Sequence, residues 1–159
     1  MFQDSLKQQA AGQEYYYNVI DYLEKSKSEH TVYMGSNILC NIDLRALLKI
    51  HQLQNKEMTV VYKRISSDNV SDNDLIFSVD EEGHLNEAVQ AKKCETESMV
   101  NLCTDIFIIK TDRLIQALKE GQAVGATPDL GRFLRERISI ENTSLYEYTG
   151  YLSNIYDIA

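Results

Sequence analysis

The 159 residues contain no apolar run of the length that spans a bilayer. The opening MFQDSLKQQAAGQ lacks the charged-then-apolar pattern of a signal peptide. No membrane partner is expected. Basic residues are few, 16 Lys and Arg against 24 Asp and Glu, for a formal net charge of −8. A nucleic-acid binder would normally carry a basic face, so that class is set aside and the charge reads as solubility. Cysteine is sparse: Cys40, Cys94 and Cys103 are odd in number and widely spaced. They give neither a disulfide framework nor a zinc site. Cys40 and Cys103 sit in apolar surroundings and read as buried thiols. The cytoplasm is the expected compartment. Internal repeats and low-complexity segments are absent. Nothing before Thr31 supplies the strand and glycine-rich loop that open a nucleotide-binding α/β domain.

What is present suits one domain with a substantial core. Residues 31–53, TVYMGSNILCNIDLRALLKIHQL, organise the rest. Thr31 to Met34 reads as a buried strand of a parallel sheet, ended by Gly35. Asp43 offers a carboxylate to the free N–H groups of a helix. Leu44, Leu47, Leu48 and His51, with Leu53, recur at helical spacing on one face. In open α/β sheets chemistry collects where a strand's carboxyl end meets the following loop. A catalytic carboxylate would be expected there, and the chain has Ser36.

Elsewhere, residues 14–25 read as a helix burying Tyr15, Val19, Tyr22 and Leu23. Residues 58–64 form a strand, and 65–73 a loop rich in Ser, Asp and Asn. Residues 75–79 and 85–89 flank Asp80-Glu81-Glu82-Gly83, a hairpin turn without the ligand spacing of a calcium loop. Residues 100–110, with the run Ile106 to Ile109, suit the centre of a sheet. Thr111 or Asp112 caps a helix through Lys119, ended by Gly121. Residues 129–137 form a short helix and 145–149 a last strand, and 156–159 open another helix. Strands alternating with helices, plus one hairpin, predict a mixed α/β sheet covered on both faces.

Several segments, in the same order, resemble bacterial glucose-1-phosphate adenylyltransferase (ADP-glucose pyrophosphorylase). YMGSNILCNIDLRALLKIHQLQNKEMTVVYKR is similar to that family's strand, Gly-Asp turn, helix and following strand. FSVDEEGHLNEAV looks like its hairpin, and NLCTDIFIIKTDRLIQAL like its "Met-Gly-Ile-Tyr-Val-Phe" strand and helix. PDLGRFLRERI resembles its "Asp-Phe-Gly-Lys" segment through Asp129, Leu130, Gly131 and Arg132. TGYLSNIYDIA sits where the family carries "Gly-Tyr-Trp-Arg-Asp-Val-Gly". The resemblance implies a mostly parallel, Rossmann-like sheet of a nucleotide-diphospho-sugar transferase domain. Residues 1–159 would form a single partial domain, without the N-terminal nucleotide loop and the C-terminal β-helix. The natural protein is expected to be longer, and this part of it to self-associate through unpaired sheet edges.

The departures carry as much as the matches. Catalytic members hold Mg²⁺ with two aspartates, and the matching positions here are Ser36 and Asn154. Magnesium binds protein chiefly through carboxylates, and transfer to a nucleotide α-phosphate depends on it. The family's sugar-phosphate lysine falls near Ala91, with Lys92 and Lys93 adjacent, and the arginine before the second aspartate is Ser153. The resemblance therefore implies a regulatory subunit with no catalytic residue of its own. It would hold no cofactor and pair with a catalytic subunit carrying Mg²⁺. Gly35, Lys92, Gly150 and Tyr151 are its expected ligand contacts. A working nucleotidyltransferase using Asp43, Lys92 and Lys93, a nucleotide-sugar or sugar-phosphate binding module, and an unrelated α/β domain are the alternatives. A shifted alignment that gives Asp43 or Asp157 the metal role is a further one.

Overall fold

The computed structural model describes residues 2–35, 38–91, 98–125 and 129–154, and for residues 2–12, 39, 153 and 154 the backbone alone. The first elements are helix α1 (Phe2–Ser26), strands β1 (His30–Met34) and β2 (Ile38–Cys40), helix α2 (Leu44–Gln54) and strand β3 (Met58–Ser66). Strands β4 (Leu75–Val79), β5 (Leu85–Gln90) and β6 (Met99–Lys110) follow. Helices α3 (Thr111–Ala123) and α4 (Leu130–Glu136) precede strands β7 (Thr143–Glu147) and β8 (Leu152–Asn154). The expected helix over 156–159 lies outside the described residues.

The apolar run in β6 places that strand at the centre, as its composition predicts. It pairs along one side with β3, and along the other with β4 in its first half and β1 in its second. The sheet has six strands in the order β5-β4-β6-β3-β7, with β1 on β6. Strands β1, β3 and β7 all run one way, and β6 runs against them. The expectation of a mostly parallel sheet is corrected: among the described strands β3–β7 is the sheet's single parallel pairing, with Met58 opposite Thr143. Its other pairings are antiparallel. A continuous apolar run reports burial on both faces, and helices on both sides provide that in either direction.

Both faces are covered. Met58, Val60, Tyr62, Phe107 and Ile109 face α1, α3 and α4 through Tyr16, Ile20, Leu114, Leu118 and Leu134. Val61, Ile106 and Ile108 alternate to the other side, where Leu47 of α2 and Tyr148 cover them. Helix α1 buries Tyr16, Ile20 and Leu23, while Tyr22 stands exposed and Tyr15 and Val19 are only partly buried. On α2 the buried pair is Leu47 and His51, and Leu44 and Leu53 are exposed.

Asp43 caps α2 as expected, accepting from the N–H groups of Arg45 (3.0 Å) and Ala46 (3.2 Å). Asp129 caps α4 through Arg132 N–H at 3.1 Å. Helix α3 departs from expectation. Lys110 holds its cap position, no side chain caps it, and it runs past Gly121. The Thr111 hydroxyl is engaged instead with that of Thr31 at 2.8 Å, tying α3 to β1. Strand β1 is likewise less buried than a central parallel strand, with Val32 and Met34 partly exposed.

Candidate functional site

The chain leaves β1 at Met34, and the Ile38 N–H donates back to the Gly35 carbonyl at 3.3 Å. It then enters β2, which pairs antiparallel with β8 so that Ile38 stands opposite Asn154. This two-stranded ribbon has no signal in apolar periodicity, because each strand is three residues long. Ser36 lies outside the described residues. Gly35 and Ile38, on either side of the undescribed pair 36–37, are described, and Ile38 pairs with Asn154, far away in sequence.

Tyr148, just past β7, anchors the ribbon. Its buried hydroxyl donates to the Tyr151 carbonyl at 2.6 Å and accepts the Asn41 N–H at 3.0 Å. Lys63 lies 5.5 Å over the same ring and donates to the Gly150 carbonyl at 2.6 Å. A Cβ on Gly150 would stand 2.5 Å from the Tyr148 hydroxyl. Gly150→Ala therefore destabilises by about 1–3 kcal/mol through overpacking. Ring carbons of Tyr148 would stand at 2.7 and 2.9 Å as well, so truncating the ring with Tyr148→Ala makes the double variant less than additive in urea unfolding. A neutral Gly150→Ala would contradict this packing.

Beside the ribbon opens a cleft of about 650 Å³. Ile38 and Leu152 form one wall, Lys63 and Ile65 of β3 another, and Leu102 to Asp105 of β6 a third. The segment from Asp68 to Asp74 closes the rim. Strand β6 bends at the cleft. Val60 faces Phe107 but Tyr62 faces Cys103, so β6 carries extra residues there, and Asp105 takes a left-handed φ of 62°. Aspartate tolerates that region better than most residues. Thr104 Oγ1 donates to the Val61 carbonyl at 2.7 Å, satisfying a group the bulge would otherwise strand.

The Asp105 carboxylate accepts a forked pair from Arg135 of α4, from Nε at 2.6 Å and from a terminal nitrogen. The fork holds α4 onto the bend. Next to it, burial and then the Asp105 charge push the Cys103 thiol up to about 12, so it stays protonated and is no nucleophile. Burial, then Asp129 and Asp105, also raise the Tyr33 hydroxyl. Among its described residues the cleft thus offers one lysine, three aspartates and the hydroxyls of Ser71 and Thr104. That set can hydrogen-bond a hydroxylated ligand, and among the described residues it holds no nucleophile paired with a base.

The expected contacts fall unevenly. Gly35 and Gly150 adjoin the ribbon, and Tyr151 is exposed with its carbonyl on Tyr148. Lys92 and Lys93 lie outside the described residues. Ala91, the last described residue before them, donates its N–H to the carbonyl of the rim residue Asp74 at 2.9 Å. Asp157 also lies outside. Arg132 pairs with Glu136 on the surface at 3.1 Å. Lys63, Asp105 and Arg135 were not singled out from the sequence. The available signal was one charged residue interrupting the apolar run NLCTDIFIIK.

The fit to Mg²⁺ is poor. Ser and Asn supply neutral oxygens at the two positions where the resembled family has carboxylates, and Asp43 is committed to its helix cap. Among the described residues no group of three or more His, Cys, Asp or Glu could hold a metal ion. No described helix is long and apolar enough to cross a membrane.

No family model and no curated protein matches the sequence. Solved structures do match the fold. The crystal structure of HddC from Yersinia pseudotuberculosis is similar with a TM-score of 0.60 at 7% identity, over 86% of this chain and 54% of that one. HddC from the same organism complexed with GMP-PN gives a TM-score of 0.57 at 11% identity, with the same coverage. The likeness is one of fold, and the chain spans about half the length of the structures it matches.

Proposed function

We propose that this chain is part of a regulatory, non-catalytic subunit of a bacterial glucose-1-phosphate adenylyltransferase, the activity that makes ADP-glucose and pyrophosphate from ATP and glucose 1-phosphate. It would act in glycogen synthesis by pairing with a catalytic subunit and tuning its rate or effector response. One observation carries the reading. Ile38, two residues past Ser36, stands opposite Asn154 across the ribbon, and positions 36 and 154, where the resembled family has its metal aspartates, both bear neutral residues. Losing two carboxylates removes two formal charges from a site whose chemistry needs them to hold a hard cation. The fold shared with HddC, one of whose structures is complexed with GMP-PN, is compatible with a nucleotide-binding setting.

A second reading is a binding module for a nucleotide sugar or sugar phosphate. It is favoured by the cleft next to the ribbon, whose single lysine, Lys63, already contacts the ribbon's Gly150. The test is pyrophosphorolysis of ADP-glucose with Mg²⁺ by the full chain, alone and mixed with a catalytic subunit. The expected outcome is silence alone and an altered rate or effector response in the mixture. Chelator-sensitive turnover by the chain alone would overturn the proposal. Silence in both, with saturable ADP-glucose binding that Lys63→Gln weakens, would favour the binding module.

A further inference from the structure

At the opposite end of the sheet, where β1 begins, a pocket of about 510 Å³ opens between α2, β1 and the start of α3. Its lining includes Glu29, His30, His51, Lys110, Asp112 and Arg113. We infer that this pocket is an anion site for a phosphate-type group, distinct from the cleft beside the ribbon. The inference stands apart from the proposed function and shares no residue with it.

The first observation is the helix end. Helix α3 is thirteen residues long and has no side-chain cap. Its first two amides are taken by carbonyls, Lys110 N–H by Glu57 at 3.1 Å and Thr111 N–H by Glu29 at 2.9 Å. The next two belong to Asp112 and Arg113, which line the pocket. An α-helix leaves its first N–H groups without intrahelical partners and concentrates partial positive charge there, which suits an anion.

The second observation is independent. His51 is 1% exposed, yet its Nε2 has no hydrogen-bond partner among the described residues, and neither has the buried Nδ1 of His30. The rings stand perpendicular with centroids 5.0 Å apart, both lining the pocket. His51 Nδ1 lies 2.7 Å from the Thr59 hydroxyl, itself 2.6 Å from that of Ser144. Run from Ser144 to Thr59 to His51, this relay puts the imidazole hydrogen on Nε2. Run the other way, it must end on the Met58 carbonyl at a long 3.5 Å. The shorter relay therefore presents a donor. A buried donor without an acceptor is costly, and an anionic oxygen would satisfy it.

The charges around the pocket nearly balance. Lys110 and Arg113 attract an anion, Arg113 being shared with Glu57 at 3.6 Å. Glu29 and Asp112 are exposed and oppose it. With attraction and repulsion nearly matched, converging donors rather than bulk charge confer affinity. Burial and then the charges of His30 and Lys110 lower the basicity of His51, and that same positive potential favours an anion.

The test follows histidine ring signals by NMR while inorganic phosphate is titrated into the folded chain at neutral pH. Saturable shifts of His30 and His51 are expected. Lys110→Gln and His30→Gln should each weaken phosphate binding about tenfold, the scale of one charged hydrogen bond. Lys25→Gln, which removes an exposed cation on α1, should leave it unchanged. Glycerol 3-phosphate titrated in parallel separates a phosphomonoester ligand, which it would match or exceed, from free phosphate, which it would not. Absence of saturable shifts with both probes overturns the inference. So does binding that both the Lys110 and the His30 variant leave intact.

Discussion

Acidification from neutral pH to about pH 4 is expected to remove on the order of 3 kcal/mol of stability through His51 alone. The ring is buried between α2 and the sheet, with Nδ1 on Thr59. Burial, followed by the charges of His30 and Lys110, lowers its pKa from 6.5 to about 4. Between those values the unfolded chain binds the proton and the folded one does not, so stability falls as pH falls. Below about 4 both states are protonated and the slope from this group ends. His51→Gln keeps an amide near Thr59 and cannot titrate. Against it, the native chain should lose its advantage progressively from pH 6.5 to 4 in urea unfolding. Using the difference between the two proteins cancels the carboxylates that titrate lower. A gap that does not change with pH would contradict a neutral, buried His51.

The second large effect is at the bend in β6. Asp105→Ala is expected to destabilise by about 2 kcal/mol, because it leaves the Arg135 guanidinium half-buried and unpaired. The full cost of breaking a deeply buried pair does not apply, since Arg135 and Asp105 keep 35% and 26% of their side-chain surface in water. Alanine also fits poorly at a φ of 62°. Asp105→Asn loses the charge but tolerates the backbone, so it should be milder than alanine by about 0.5–1 kcal/mol. Arg135→Ala combined with Asp105→Ala should cost clearly less than the sum of the single changes. Additive costs would mean that the fork contributes nothing, and that the bend is held by Thr104 and the backbone alone.

How far the sequence revealed all this depended on the kind of signal each element carried. Asp43 was legible as a helix cap because capping is local chemistry, two or three residues long, whereas Asp129 was read as the first residue of its helix and is instead its cap. The central place of β6 followed from its unbroken apolar second half. Strand direction was not legible, since alternation and burial are the same for parallel and antiparallel neighbours. The ribbon of β2 and β8 escaped because three residues cannot show a period. Its reality depends on Tyr148 reaching both strands, a tertiary fact. The bend at Asp105 and its pairing with Arg135 join segments thirty residues apart, and only the odd charge within an apolar run hinted at them. His51 was placed correctly on the buried face of α2. That it would be buried with an unpartnered nitrogen needed the neighbouring strands. Positions 36 and 154 were singled out by the ordered resemblance alone. The ribbon adds that Ile38, two residues past the first, pairs with the second.

The most direct test of the account is a manganese titration, reading Mn²⁺ as an oxygen-seeking reporter for Mg²⁺ by electron paramagnetic resonance. The native chain, Ser36→Asp, Asn154→Asp and the double variant would be compared. If positions 36 and 154 face one another across a metal site that has lost its carboxylates, the native chain binds Mn²⁺ weakly. Each single change then tightens binding modestly, and the double change tightens it more than the two combined, by about tenfold or greater. Tight binding by the native chain would contradict the account, as would a double variant no better than the singles.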